Sequence, residues 1–452
     1  MANYKIKKGL NIQLSGLSNL TIEAVAPTQR FAVYPTEFTG VKPRLKVVKG
    51  DVVKRGDVLF ENKANEKMVF RSPAAGTIQE IRLGERRFPA EIVIESNGSA
   101  ESVTFPIQTA ESISSISREA LVDHLLNAGL WPLIKQRPFD KIADPQAEPK
   151  AVFVNAMGTA PFQADFSTIV KGEESRFELG LLALTKLTEG SVHLCCEKGS
   201  NIPAFENAEQ HFFEGKHPAG NTSVHINRIS PILPHDTVYT LTAQDVLLLG
   251  ELLETGEYPK TKVIALGGPA VKEAYRKHYR IPLGADLSAL FAEALEEGET
   301  RLVAGNVLWG VSVSPKDAVR FYTNEYNALP EDRSRHLLGW TMPGLLQYSV
   351  HRVNLSSLPP FKKKKWKLGT NLHGSHRAMV VTGWMDKYQP LNIMTDFLVR
   401  ACLAHDTDEM IQLGILETHP EDFALAAFLD PHKTDVCGII QQGLNEIEEE
   451  GI

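Results

Sequence analysis

The sequence predicts a multidomain α+β protein, and three observations carry that expectation. At 452 residues the chain has room for about three domains of ordinary size. Its first hundred residues break short alternating apolar stretches with Gly, Pro and Asp, the pattern of strands joined by tight turns. Further on, buried-strand runs alternate with helical ones, as in a βαβ domain, and beyond about residue 331 the pattern reads as mainly helical. A composition 43% hydrophobic and 23% charged suits buried cores and excludes a disordered tail. Four units follow, at residues 1–100, 101–257, 258–330 and 331–452.

Each element has its own signal. Gly50-Asp51-Val52 and Gly56-Asp57-Val58 place two identical turns six residues apart, each expected to send its Val into a small barrel. The Pro-rich run from Arg137 to Pro149 reads as a domain linker. Lys150–Gly158 and Ser191–Cys196 read as buried strands, with a helix from Phe177 to Thr188 between them. Gln244–Thr255 reads as an amphipathic helix. Lys262–Pro269 opens a smaller mixed unit, where Asp286 or Ser288 caps a helix running through Leu290. The chain closes on a helix beginning near Gly438.

Charge excludes some functions. The net −7 argues against a nucleic-acid partner gripped along the whole surface. From Thr395 onward there are 13 acidic and 2 basic residues. Just upstream, Phe361-Lys-Lys-Lys-Lys-Trp-Lys367 is strongly basic, and Lys363, Lys364 and Trp366 are candidate contacts for an anion, an acidic partner or an anionic membrane. No signal-peptide core follows the N-terminal lysines, and no apolar run is long enough to span a bilayer, so a soluble or peripheral protein is expected.

Chemistry-bearing motifs are sparse. Cys195, Cys196, Cys402 and Cys437 form no C-x-x-C pair, which argues against a disulfide framework, a zinc ribbon or an iron–sulfur cluster held by this chain alone. There is no H-E-x-x-H; His373 and His376 lack a neighbouring carboxylate; and no G-x-S-x-G occurs. Neither Val154–Phe162 nor the Gly267-Gly-Pro turn carries a G-x-G-x-x-G dinucleotide loop. Gly215-Lys216-His217-Pro-Ala-Gly220 is a candidate anion contact through Lys216 and His217. No metal site and no catalytic residue is expected, which points to a subunit of something larger.

Two resemblances sharpen this reading. Residues 41–95, with both Gly-Asp-Val turns and Ser72-Pro-Ala-Ala-Gly-Thr77, resemble the barrel-sandwich hybrid of biotinyl and lipoyl domains. A carrier with a lipoylated or biotinylated lysine is therefore one alternative. Lys63 and Lys67, in Glu61-Asn-Lys-Ala-Asn-Glu-Lys67, fit neither register of the modified residue. The chain as a whole resembles the A-subunit family of Na⁺-translocating NADH:quinone reductases (Na⁺-NQR). The match rests on Ile6–Ile12, Lys49–Lys63, Gly84–Arg87, Gly129-Leu-Trp131, Phe153–Met157, His217–Gly220, Val263–Pro269, Leu283–Ser288 and Asp422–Leu425.

The resemblance implies a lipoyl-like barrel-sandwich hybrid without a modified lysine, a Rossmann-like α/β domain lacking its Gly-rich loop, a β-grasp (SLBB-like) unit and a helical C-terminal region. It further implies a peripheral, cofactor-free subunit on the cytoplasmic face of the bacterial inner membrane. Its partners would be five other subunits, chiefly the membrane-embedded B subunit. NADH, FAD, FMN, riboflavin and iron–sulfur centres would lie on those subunits, with ubiquinone as the substrate reduced while Na⁺ is exported. Related flavoprotein subunits bind FMN and NADH through a glycine-rich loop, so an FMN/NADH-binding dehydrogenase subunit is the second alternative. This chain has Ala128–Phe139 where that loop would lie. A quinone site needs flat apolar walls and donors for the carbonyl oxygens. Trp131, Lys135, Arg137 and Phe139 offer that composition as candidate quinone or partner contacts.

Overall fold

A computed structural model describes residues 2–335, 337–345, 347–359 and 364–451. Its centre is a seven-stranded sheet in the order Ala2–Lys5, Glu209–Glu214, Val192–Glu197, Val152–Ala156, Val238–Thr242, Lys135–Arg137 and Lys141–Ile142. The first five strands are parallel and the last two form an antiparallel hairpin. Strand periodicity sorts the side chains onto two faces. Val152, Val154 and Cys196 enter one core, with the helices Arg118–Ala128, Glu174–Thr185 and Ala243–Thr255. Phe153, Cys195 and Phe213 enter another, shared with Thr222–Ile229 and the C-terminal helices.

The barrel is built from Arg30–Val33, Pro89–Ser96, Gly76–Leu83 and Val52–Val53, closed by Pro43–Leu45, Val58–Asn62 and Asn65–Arg71. Both Gly-Asp turns form as the sequence dictates. Gly50 and Gly56 adopt φ of +96° and +87°. Asp51 accepts from the Val48 N–H at 2.8 Å and Asp57 from the Lys54 N–H at 2.6 Å. Val52, however, is 74% exposed while Val53 is 4% exposed. The first turn thus delivers the second valine, not the first, to the core.

A six-stranded sheet runs Val311–Val313, Thr300–Ala304, Glu325–Pro330, Thr261–Gly267, His278–Pro282 and Ile22–Ala24. The first hundred residues therefore contribute a strand to every sheet. Ala2–Lys5 extends the central sheet and Ile22–Ala24 extends this one, and only from Arg30 onward does the chain build the barrel.

Two further expectations change. The Arg137–Pro149 stretch is not a free linker: Lys135–Arg137 pairs with Val238–Thr242, and Lys141–Ile142 closes the sheet edge behind it. Prolines fit there because Pro138, Pro145 and Pro149 fall in the turns outside both strands, where no ladder N–H is needed. The C-terminal unit becomes helical only from Trp384. Among its described residues, 331–383 carry only short 3₁₀ turns, since Pro343, Gly344, Pro359, Gly369 and Gly374 interrupt any helical run. The last helix, Val436–Glu450, is capped by Asp435 and buries Val436, Ile440, Leu444 and Ile447 along one stripe. Its acidic end is tied inward, with Glu448 paired to Lys141. Among the described residues no helix is long and apolar enough to cross a membrane.

Candidate functional site

The segment carrying Trp131 to Phe139 lies where the units meet. Trp131 is fully buried, donates its indole N–H to the Ala143 carbonyl at 2.7 Å and meets Tyr239 edge-on. Its ring is enclosed by protein. Lys135 places its ammonium 3.8 Å from the centre of the Tyr322 ring, and the Tyr322 hydroxyl donates back to the Pro132 carbonyl at 2.9 Å. Arg137 pairs with Asp140 at 3.0 Å, whose other oxygen lies 3.5 Å from His419 in the C-terminal unit. Burial opposes ionisation of Asp140, but Arg137, with Lys135, outweighs it and holds the carboxyl below its usual range. Burial, with Arg137 beside it, lowers His419 to about 4, so that imidazole is neutral. Phe139 takes φ of +78° and packs against the core shared with the C-terminal helices.

The barrel joins this junction through Glu37, which accepts from the Phe321 N–H at 3.1 and 3.2 Å. Lys262 donates to the carbonyls of Arg320 and Phe321 at 2.9 and 2.8 Å. Burial raises Glu37 to about 7 and lowers Lys262 to about 8. The adjoining aromatic pocket, with Phe38, Phe70 and Phe321 on its walls, encloses about 30 Å³. That is room for a water or two, whereas a drug-sized ligand needs roughly 300 Å³ or more. Lys135, Arg137 and Phe139 sit in an interdomain joint.

The open aromatic surface lies elsewhere. A cleft of about 490 Å³ opens between the N-terminal arm at Gly9–Gln13, the turn at Lys216 and the C-terminal unit. Trp366 is held there because residues 364–368 dock on the arm: its N–H donates to the Gln13 carbonyl at 2.7 Å and its carbonyl accepts from Ser15 at 2.9 Å. Tyr348 stands 6.0 Å from the Trp366 ring, while Trp384 and Tyr388 lie nearly parallel at 6.5 Å. Those two are four residues apart on one short helix and so share a face. His351 approaches Trp384 edge-on at 4.2 Å; its Nε2 lies 3.0 Å from the Leu429 carbonyl oxygen, and its buried Nδ1 has no partner among the described residues. Lys387 sits 4.4 Å over Trp384, and Lys216 stands exposed at the rim.

Of the residues singled out from sequence, Lys216 and Trp366 come together in this cleft. Lys364 lies beside it, 4.6 Å over the Trp366 ring, and Lys363 falls outside the described residues. His217 turns inward: it is 2% exposed, its Nδ1 lies 3.3 Å from the Thr159 hydroxyl, and burial lowers it to about 4. His373 and His376 line a neighbouring cleft with Phe428 and Lys433. Tyr348, His351, Trp384 and Tyr388 were missed from sequence. Only the Trp-x-x-x-Tyr spacing hinted at them, because their neighbours in the cleft are up to about 380 residues away along the chain.

At the carboxyl ends of the parallel strands, where doubly wound folds place nucleotide ligands, side chains bond to the Gly220 turn. Asn155 donates to the Gly220 carbonyl at 2.9 Å and to Thr222 Oγ1 at 3.0 Å, and the Gly220 N–H donates to Thr159 Oγ1 at 2.9 Å. Cys195 and Cys196 point to opposite faces of the sheet, so they cannot ligate one cluster. Lys63 occupies the turn of the Val58–Asn62/Asn65–Arg71 hairpin, and Lys67 pairs with Asp123 at 2.8 Å.

Family models match three stretches of the chain. Residues 4–97 match the NqrA N-terminal barrel-sandwich hybrid domain, 116–258 the NqrA second alpha/beta domain, and 263–314 the NQRA C-terminal domain, an SLBB model. Curated relatives named as the A subunit of Na(+)-translocating NADH-quinone reductase align from end to end. The one from Pasteurella multocida is 38% identical over 449 residues, covering 99% of each chain. Those from Yersinia pseudotuberculosis and Neisseria meningitidis are each 38% identical over 451 residues, covering 99% of this chain and 100% of theirs.

Proposed function

The chain belongs to the A-subunit family of Na⁺-translocating NADH-quinone reductases, and we propose how it serves that complex. It is a non-redox, peripheral subunit on the cytoplasmic face of the inner membrane, seated on the membrane-embedded B subunit, that offers ubiquinone an aromatic surface. The observation that carries this reading is the cleft walled by the half-buried Trp384 and Tyr388, backed by the buried Trp366, with Lys216 and Lys387 at its edges. A quinone ring is flat and apolar, so it stacks on such walls. The negative charge that grows on its oxygens during reduction is stabilised by nearby ammonium groups. NADH, the flavins and the iron–sulfur centres belong to the five partner subunits.

The basic run supplies the docking face. Lys364, Lys365 and Lys367 are exposed beside the cleft, so an anionic membrane or an acidic edge of the B subunit would bring the quinone to its mouth. Lys135, Arg137 and Phe139 act in this reading as the joint that fixes the C-terminal unit against the other domains.

Titration of the full chain with a short-chain ubiquinone tests the cleft. Trp384→Ala is expected to weaken binding at least about tenfold, and Lys216→Ala less, since stacking on a ring is worth more than a solvated charge. Unchanged binding in Trp384→Ala would remove the cleft from consideration. Reversing Lys364, Lys365 and Lys367 to Glu is expected to prevent assembly, and a normally assembled variant would count against the docking face. A colourless purified chain whose intact mass is that of the unmodified sequence agrees with this reading. A bound flavin would favour the dehydrogenase alternative, and a lipoyl or biotinyl adduct the carrier.

A further inference from the structure

We propose that His193, Glu209 and His211 form a binding site for one divalent transition-metal ion of the zinc class. The site is separate from the quinone cleft and independent of that reading. The three residues occupy neighbouring parallel strands: His193 stands opposite Glu209 in the register, and His211 follows two residues later on the same face. His193 Nδ1 lies 3.1 Å from His211 Nε2. Glu209 Oε2 lies 3.6 Å from the first nitrogen and 3.9 Å from the second. The nearest point equidistant from these three atoms, in their plane, is about 2.1 Å from each, the bond length zinc makes to imidazole nitrogen and carboxylate oxygen.

The surroundings favour an ion over the hydrogen bond that the two imidazoles otherwise share. His193 and His211 are buried, with side chains only 10% and 9% exposed, so their facing nitrogens are fixed by the sheet. Phe153 packs on His193 with ring centres 4.9 Å apart and keeps that side dry. Ser191 donates its hydroxyl to Glu209 Oε1 at 2.6 Å, which holds the carboxylate with Oε2 toward the imidazoles, as outer partners do around bound metals. Glu209 is itself 60% exposed, so the fourth position faces solvent and suits a water ligand. Two nitrogens and one oxygen select zinc-like ions over magnesium or calcium, which take oxygen ligands. The ion would clamp Val192–Glu197 to Glu209–Glu214, the strand on which the N-terminal Ala2–Lys5 pairs.

Titrating Zn²⁺ into metal-free, untagged full-length chain tests this. One tightly held equivalent is expected, and Co²⁺ in its place should give the intense visible bands of a low-coordinate site. His193→Gln and His211→Gln should abolish the equivalent. Glu209→Gln, at an exposed position that leaves the core intact, should weaken it at least about tenfold. No bound equivalent in the wild type, or wild-type affinity in a folded Glu209→Gln variant, overturns the assignment.

Discussion

Glu325 shows how one residue couples folding to pH. It is 7% exposed, and burial raises its carboxyl from 4.5 to about 7 against the pull of the Ala164 N–H and Lys262. The folded chain therefore holds a proton there that the unfolded chain releases. The stabilising contribution is complete below the unfolded value and is lost as pH rises through 7. Glu325→Gln keeps the shape and removes the titration. The Tm of the wild type relative to this variant should fall between about pH 5 and about pH 8. Parallel Tm profiles would show that the carboxyl does not gain its proton on folding. No sequence pattern marks Glu325, because a carboxylate in a strand is ordinarily on the wet face. Lys216 and Trp366, in contrast, stood out in the sequence as candidate anion or partner contacts, since a Lys in a Gly-rich turn and a Trp inside a lysine run are unusual wherever they fall.

At the level of elements, the helices Glu174–Thr185 and Ala243–Thr255 cross at two glycines. A Cβ on Gly250 would lie 2.1 Å from the Arg176 carbonyl oxygen, and one on Gly180 would lie 2.5 Å from that of Val246. Both obstacles are backbone, which cannot swing aside. Gly250→Ala should therefore destabilise the chain by about 1–3 kcal/mol in urea unfolding, although alanine is the better helix former. A stabilised variant would mean the helices separate freely. Both helices were legible from their periodicity; the structure runs the first over Glu174–Thr185, shifted about three residues from the expected Phe177–Thr188, and the second over Ala243–Thr255. The Lys135–Arg137 and Lys141–Ile142 strands were not. Each is too short to show alternation, and the prolines around them outweigh it.

Across the whole molecule, the N-terminal arm stitches the units together. Ala2–Lys5 covers the edge strand Glu209–Glu214, Ile22–Ala24 covers His278–Pro282, and residues between them hold Trp366. Deleting residues 2–8 should leave the barrel folded and expose an unpaired edge on the central sheet. Hydrogen exchange at residues 211–214 should then accelerate while exchange in the Pro89–Ser96 strand stays unchanged. Uniform acceleration would mean the barrel and central sheet unfold as one body. The same arm forms one wall of the aromatic cleft, so loss of cleft shape should accompany the deletion.

The α+β class, the paired Gly-Asp turns, the central βαβ alternation, the missing nucleotide loop and the membership of the family can all be read from the order of residues. Each is written in local chemistry: a turn needs its glycine, and a strand or helix declares its period within a few residues. Folding in three dimensions was needed to make Trp131 core and to draw Arg137 into a joint. It also placed Trp366 beside Trp384 and His193 against His211. Such neighbours meet because strands and units pack across long separations in sequence. Short-range patterning carries no record of which distant surfaces will bury one another.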